Sequence, residues 1–139
     1  MDEGLIFQGR IAIRAIPDRR RRFPVKQWLG GLSARDQRRA DAGMINFDRL
    51  EAAGVPNSGR VEMVRGRRWT MLELKLTRGG TPGAQLRVLG VMKGRTFWAA
   101  HGFKKTTRRI SAADIDAAEA ALDGWGGSRR GGRKPEAEP

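Results

Sequence analysis

The chain has 139 residues and carries 28 Lys plus Arg against 15 Asp plus Glu, a formal charge of +13. It has no cysteine and one histidine, His101, which excludes a disulfide scaffold, a thiolate zinc site, a Cys nucleophile and any multi-histidine metal centre. One domain burying roughly 68% of its unfolded surface is expected at this length, no apolar run approaches the ~20 residues of a membrane span, and Asp2 and Glu3 stand where a secretory signal would be basic.

Arg10 to Ile16, with Ile11 and Ile13 on one side, reads as a first strand ended by Pro17 and Asp18. Arg19, Arg20, Arg21 and Arg22 follow in a loop, either as a solvated face or as a grip on a phosphate backbone. Pro24 suits a first helical position, and Val25, Trp28, Leu29 and Leu32 make one apolar face of a short helix. Ser33 opens a second helix with Asp36 as its capping partner and Ala40, Met44, Phe47 and Leu50 as its core stripe; Gly54 is placed to end it.

A turn is expected from Asn57 to Gly59, and Val61 to Val64 reads either as a turn of helix or as an irregular edge. Arg65, Arg67 and Arg68 flank Gly66 in a basic loop. Trp69 to Thr77 alternates, Leu72, Leu74 and Leu76 against Met71, Glu73 and Lys75, which predicts a half-buried strand. A hairpin connection is expected from Arg78 to Gly83. Leu86 to Met92 is apolar enough on both faces to be central, and Thr96 to His101 follows Lys93-Gly94 as a third strand. Lys104 to Arg109 reads as a basic loop before a last helix capped by Ser111 and Asp114, with Ile115, Ala118, Leu122 and Trp125 as its packing stripe.

The predicted fold class is therefore α+β: a strand, two helices, a three-stranded antiparallel meander and a C-terminal helix, over residues 1–125. Residues 126–139, rich in Gly, Pro and charge, read as a disordered tail. That tail holds four cations and two acids, so +11 of the charge belongs to the domain. Such an excess favours a polyanionic partner, nucleic acid or an acidic protein, over solubility alone.

Two blocks carry a family resemblance. The first is Pro24-Val25-Lys26-Gln27-Trp28-Leu29 with Leu32 and the basic second helix. The second is Leu72-Glu73-Leu74-Lys75, Leu86-Arg87-Val88-Leu89, His101-Gly102-Phe103-Lys104-Lys105-Thr106 and the Ala-rich helix from Ser111. In this order they resemble the RelE/ParE superfamily of type II toxin–antitoxin toxins, in its phage-derived HigB-like branch. The resemblance spans roughly residues 10 to 123 and implies a RelE-like toxin fold. It also implies a cognate antitoxin, usually with a helix-turn-helix DNA-binding domain, and cytoplasmic action on ribosome and mRNA or, for ParE-like members, on DNA gyrase. The chain contains no tyrosine, so the C-terminal aromatic that several RNA-cleaving relatives carry is missing.

Metal-free RNA cleavage needs the 2′-hydroxyl deprotonated, the phosphate charge stabilised and the leaving 5′-oxygen protonated, and Lys, Arg and one His supply all three. On the family pattern Arg87 is expected as phosphate clamp, Lys75 as base or second clamp, and His101 or Lys104 as proton carrier. Lys105, Arg108, Arg65, Arg67, Arg68 and Arg19 to Arg22 are expected on RNA backbone. No cofactor or metal is expected. Arg87→Ala is expected to abolish growth inhibition and leave a folded protein. Against these stand blander readings: His101 as a core histidine, Lys75 paired with Glu73, and a non-enzymatic basic module.

Overall fold

The structure, a computed structural model, describes residues 3–52, 59–77 and 85–125. The expected helix end at Gly54, the turn residues Asn57 and Ser58, the Arg78–Gly83 connection and the tail from Gly126 lie outside the described residues.

The fold is α+β, as the element pattern predicts. In chain order it runs β1 (Leu5–Gln8), β2 (Ala12–Ala15), α1 (Pro24–Gly30), α2 (Ala34–Ala52), β3 (Val61–Arg65), β4 (Thr70–Lys75), β5 (Gln85–Lys93), β6 (Thr96–Lys105) and α3 (Ala112–Asp123). One six-stranded mixed sheet has the order β1-β2-β6-β5-β4-β3. The expected meander is β4–β5–β6, and β3 extends it at the edge by antiparallel pairing of Val61 with Leu74 through Arg65 with Thr70. β1, which the sequence reading left unassigned, pairs antiparallel with β2. β2 in turn runs parallel to β6, Ala12 opposite Thr96 and Ala15 opposite Ala99, so strands from the two ends of the domain meet at the sheet centre.

Local chemistry sets the helices. Pro24 starts α1, and Gln37 Nε2 donates to the carbonyls of Gly30 (3.0 Å) and Leu32 (3.1 Å), fixing the corner into α2. Ser33 Oγ accepts from the Asp36 N–H at 3.1 Å, and Ser111 Oγ accepts from the Asp114 N–H at 3.1 Å, so both predicted caps form. On one sheet face Ile13, Leu74, Val88 and Phe97 pack under Val25, Ala40, Met44 and Phe47 of α1 and α2. On the other, Trp69, Met71, Leu89, Val91 and Phe103 pack under Ala118 and Leu122 of α3. Because α3 covers that second face, β4 is buried on both sides rather than half-buried: Met71 is 1% and Glu73 0% exposed.

Two glycines set how close the layers come. A Cβ at Gly43 would overlap the backbone of Leu76, so α2 seats directly on the end of β4. A Cβ at Gly102 would overlap the Trp28 ring, so the glycine of the His-Gly-Phe block exists to receive the tryptophan of the Val-Lys-Gln-Trp-Leu block. The two sequence blocks are thus one packing contact.

Candidate functional site

Strand parity decides which candidate residues meet. β6 runs on through Lys105 instead of ending at His101, so its last residues alternate between faces. In register, Lys75 stands opposite Arg87 and Arg87 opposite Phe103, while Glu73 stands opposite Leu89 and Leu89 opposite His101. Lys75, Arg87, His101 and Lys105 therefore share the α3 face. Lys104 points to the other, where Nζ lies 4.0 Å from Asp36 Oδ2 at the start of α2. That placement removes Lys104 from proton transfer beside His101.

Burial then changes the role of Arg87. Its side chain is only 7% exposed; Nη1 donates to the carbonyls of Thr77 (2.7 Å) and Leu86 (3.0 Å), and Nε lies 3.2 Å from Glu73 Oε2. Burial pulls its pKa below the ordinary value, and the Glu73 carboxylate opposes that pull. A guanidinium so enclosed and so engaged holds strand ends together and keeps little surface for a phosphate. Glu73 is fully buried between Arg87 and Lys105, whose Nζ lies 3.6 Å from Oε2. Neither Glu73 oxygen accepts an aligned hydrogen bond among the described residues, so the attraction is coulombic. Lys75 is not the partner of Glu73 either: its Nζ lies 3.6 Å from Glu62 on the neighbouring strand. The face thus alternates cation and carboxylate.

His101 is the candidate whose surroundings suit chemistry best. Its Nε2 lies 2.8 Å from Asp114 Oδ1, and its ring stacks on Phe103 with centroids 5.7 Å apart. Asp114 is itself fixed at the N-terminus of α3, where Oδ2 accepts from Ser111 Oγ at 2.8 Å. With the ring neutral, Nε2–H donates to the carboxylate and Nδ1 keeps its lone pair. The side chain is about a quarter exposed.

The basic loops sort differently. Asp18 organises residues 18–22: Oδ1 accepts from the N–H groups of Arg20 (2.9 Å) and Arg22 (2.8 Å), and Oδ2 pairs with Arg22 Nε at 2.8 Å. The Arg22 amide is the main cause holding the Asp18 carboxyl below its ordinary pKa. Arg21 adopts φ 61°, a left-handed conformation costing a non-glycine roughly 1–2 kcal/mol. Arg19, Arg20 and Arg21 are exposed and make no ion pair among the described residues.

In the β3–β4 hairpin, Arg65 and Arg67 are exposed, but Arg68 is fixed by Asp123 at 2.8 Å, which raises its pKa. Arg68 is therefore a tie between hairpin and helix rather than a free phosphate contact. Arg108 is exposed in the loop before α3. No group of three His, Cys, Asp or Glu side chains that could hold a metal gathers among the described residues.

No family model, curated protein or solved structure matches this chain. The site must be read from its own geometry. Two carboxylates that the sequence reading passed over matter most. Asp114, seen in sequence only as a cap, is the partner of His101. Glu119, fully buried on α3, accepts with Oε2 from the N–H groups of Arg68 (2.6 Å) and Trp69 (2.7 Å). The available signal for Glu119 was its place one residue after Ala118 on the packing stripe of α3.

Proposed function

We propose that the chain is the toxin of a type II toxin–antitoxin pair, a metal-independent endoribonuclease of the RelE/HigB kind that cuts mRNA on the ribosome. The observation that carries this reading is the His101–Asp114 pair on the same sheet face as Lys75 and Lys105. In the reaction, His101 Nδ1 takes the proton of a ribose 2′-hydroxyl and the 2′-oxygen attacks phosphorus. The P–O5′ bond breaks, a 2′,3′-cyclic phosphate forms, and a lysine ammonium protonates the departing 5′-oxygen. Lys75 and Lys105 balance the charge on the phosphate, and Asp114 steadies the imidazolium. Exposed Arg19, Arg20, Arg21, Arg65, Arg67 and Arg108 supply backbone attraction to messenger and ribosomal RNA.

The action belongs in the cytoplasm, and among the described residues no helix is long and apolar enough to cross a membrane. The neutralising partner is a cognate antitoxin, acidic where it meets the toxin and carrying a helix-turn-helix domain on the family pattern. Its association with a +13 chain slows as salt rises. Induction in cells followed by mapping of mRNA 5′ ends tests the assignment: codon-defined cuts are expected, and they vanish with His101→Ala. Intact mRNA with a DNA-damage response would transfer the chain to the gyrase-directed class. Intact mRNA with no such response would leave a non-enzymatic nucleic-acid-binding module.

A further inference from the structure

Beside the C-terminal half of α3 lies a cleft of about 480 Å³. It is lined by the buried Ile16 and Ala100, by Pro17 and Pro24, and by Ala120 and Ala121 of α3. Three charged residues also line it, Asp18, Arg19 and Asp123. Both carboxylates are already neutralised: Asp18 by two backbone N–H groups and Arg22, Asp123 by Arg68 and by Trp69 Nε1 at 2.8 Å. Arg19 is the lining charge that makes no ion pair among the described residues, and Arg20 and Arg21 follow it in the same pinned turn.

A slot with apolar side chains and an unpaired arginine in its lining suits a flat, weakly polar group carried on a chain of phosphates. We infer that this cleft is a subsite for single-stranded RNA, seating one nucleobase between the prolines and the α3 alanines with the flanking phosphates on Arg19, Arg20 and Arg21. The inference rests on the RNA-directed reading above and adds to it a second contact point away from His101. An acidic peptide would meet the same arginines but leave the slot unfilled. Asp18 preorganises the backbone of the turn, so the main chain that carries the three arginines needs little ordering on binding. Along α3 the cleft alanines, Ala120 and Ala121, stand six and seven residues beyond Asp114, about 10 Å at the helical rise and on the order of three stacked nucleotides.

The test uses the full chain and a fluorescein-labelled single-stranded RNA decamer, with anisotropy read at several salt concentrations and folding checked by thermal melting. Ala121→Leu, which fills the slot, is expected to weaken binding about tenfold without changing the salt slope. Ala120→Leu, at an exposed wall position, does the same and serves if Ala121→Leu does not fold. The triple substitution Arg19→Ala, Arg20→Ala, Arg21→Ala flattens the slope of log affinity against log salt by about two units. Folded slot variants that bind the decamer as the parent does would overturn the subsite. So would a glutamate decamer that outcompetes the RNA and loses affinity when the slot is filled. Slot-sensitive binding without mRNA cuts in cells leaves the subsite standing and removes the nuclease reading. Cuts with slot-insensitive binding remove the subsite and leave the nuclease.

Discussion

Arg87→Met severs the most enclosed charge pair among the described residues. The substitution leaves the Glu73 carboxylate, 0% exposed, without its 3.2 Å partner, and takes a donor from the carbonyls of Thr77 and Leu86. Removing one member of a buried pair costs about 3–5 kcal/mol, because the remaining ion keeps its desolvation penalty, and Lys105 at 3.6 Å places the loss toward the lower end. For a domain of this size that is a melting-point loss of roughly 10–20 °C. Glu73→Met alone strands Arg87 and destabilises similarly. The double variant Glu73→Met, Arg87→Met removes both charges, and Lys105, already 15% exposed, turns to solvent. It is expected to melt above either single variant, with a coupling energy of several kcal/mol in urea unfolding. Additive losses, or an Arg87→Met chain as stable as the parent, would refute the pairing. The folded double variant also settles what Arg87→Ala, expected from sequence to stay folded, no longer can. Growth arrest retained in it makes Arg87 scaffold, whereas arrest lost returns it to the phosphate.

Other outcomes follow from the same geometry. His101→Ala should lower RNA cleavage by about 10²–10⁴-fold with little change in RNA affinity, read by single-turnover cleavage and anisotropy. Glu119→Ala unpairs the N–H groups of Arg68 and Trp69, a cost of about 2–5 kcal/mol in urea unfolding, with faster hydrogen exchange at both amides. Because the fold holds the Asp18 carboxyl below its ordinary 3.8, the turn gains stability from it above that pH and loses it as pH falls through the lower folded value. The amide shifts of Arg20 and Arg22 should move together below pH 3.8, and Asp18→Asn should hold them in the shifted position at neutral pH.

The elements legible in the sequence were those with a long period or a chemical stop. Pro24, Ser33 and Ser111 marked helix starts correctly, and the Leu72-Leu74-Leu76 alternation marked β4. β3 was ambiguous because its exposed Met63 and Glu62 give an edge strand no clean alternation. The end of β6 was misplaced because Gly102 looks like a break, whereas it is the seat of Trp28. One strand's extension then moved Lys104 and Lys105 to opposite faces. Arg87 was legible in hindsight: a lone cation in a run buried on both faces must be paired, and Glu73 was the acid one strand away. The His101–Asp114 contact was not legible, since it depends on how the loop between β6 and α3 turns back.

The parallel seam between β2 and β6 has a genetic consequence. Until the chain has been made through Lys105, the sheet is two halves, a β1–β2 hairpin and a β3–β4–β5 meander, with the central seat empty. A reading frame interrupted anywhere upstream of β6 lacks His101 and Lys105 and also presents two unpaired central edges, which favour aggregation. Nonsense and frameshift alleles that fall before the codon of Lys105 should therefore be inert. If growth arrest is its product, cells escape it through many positions for truncation and few for single substitution.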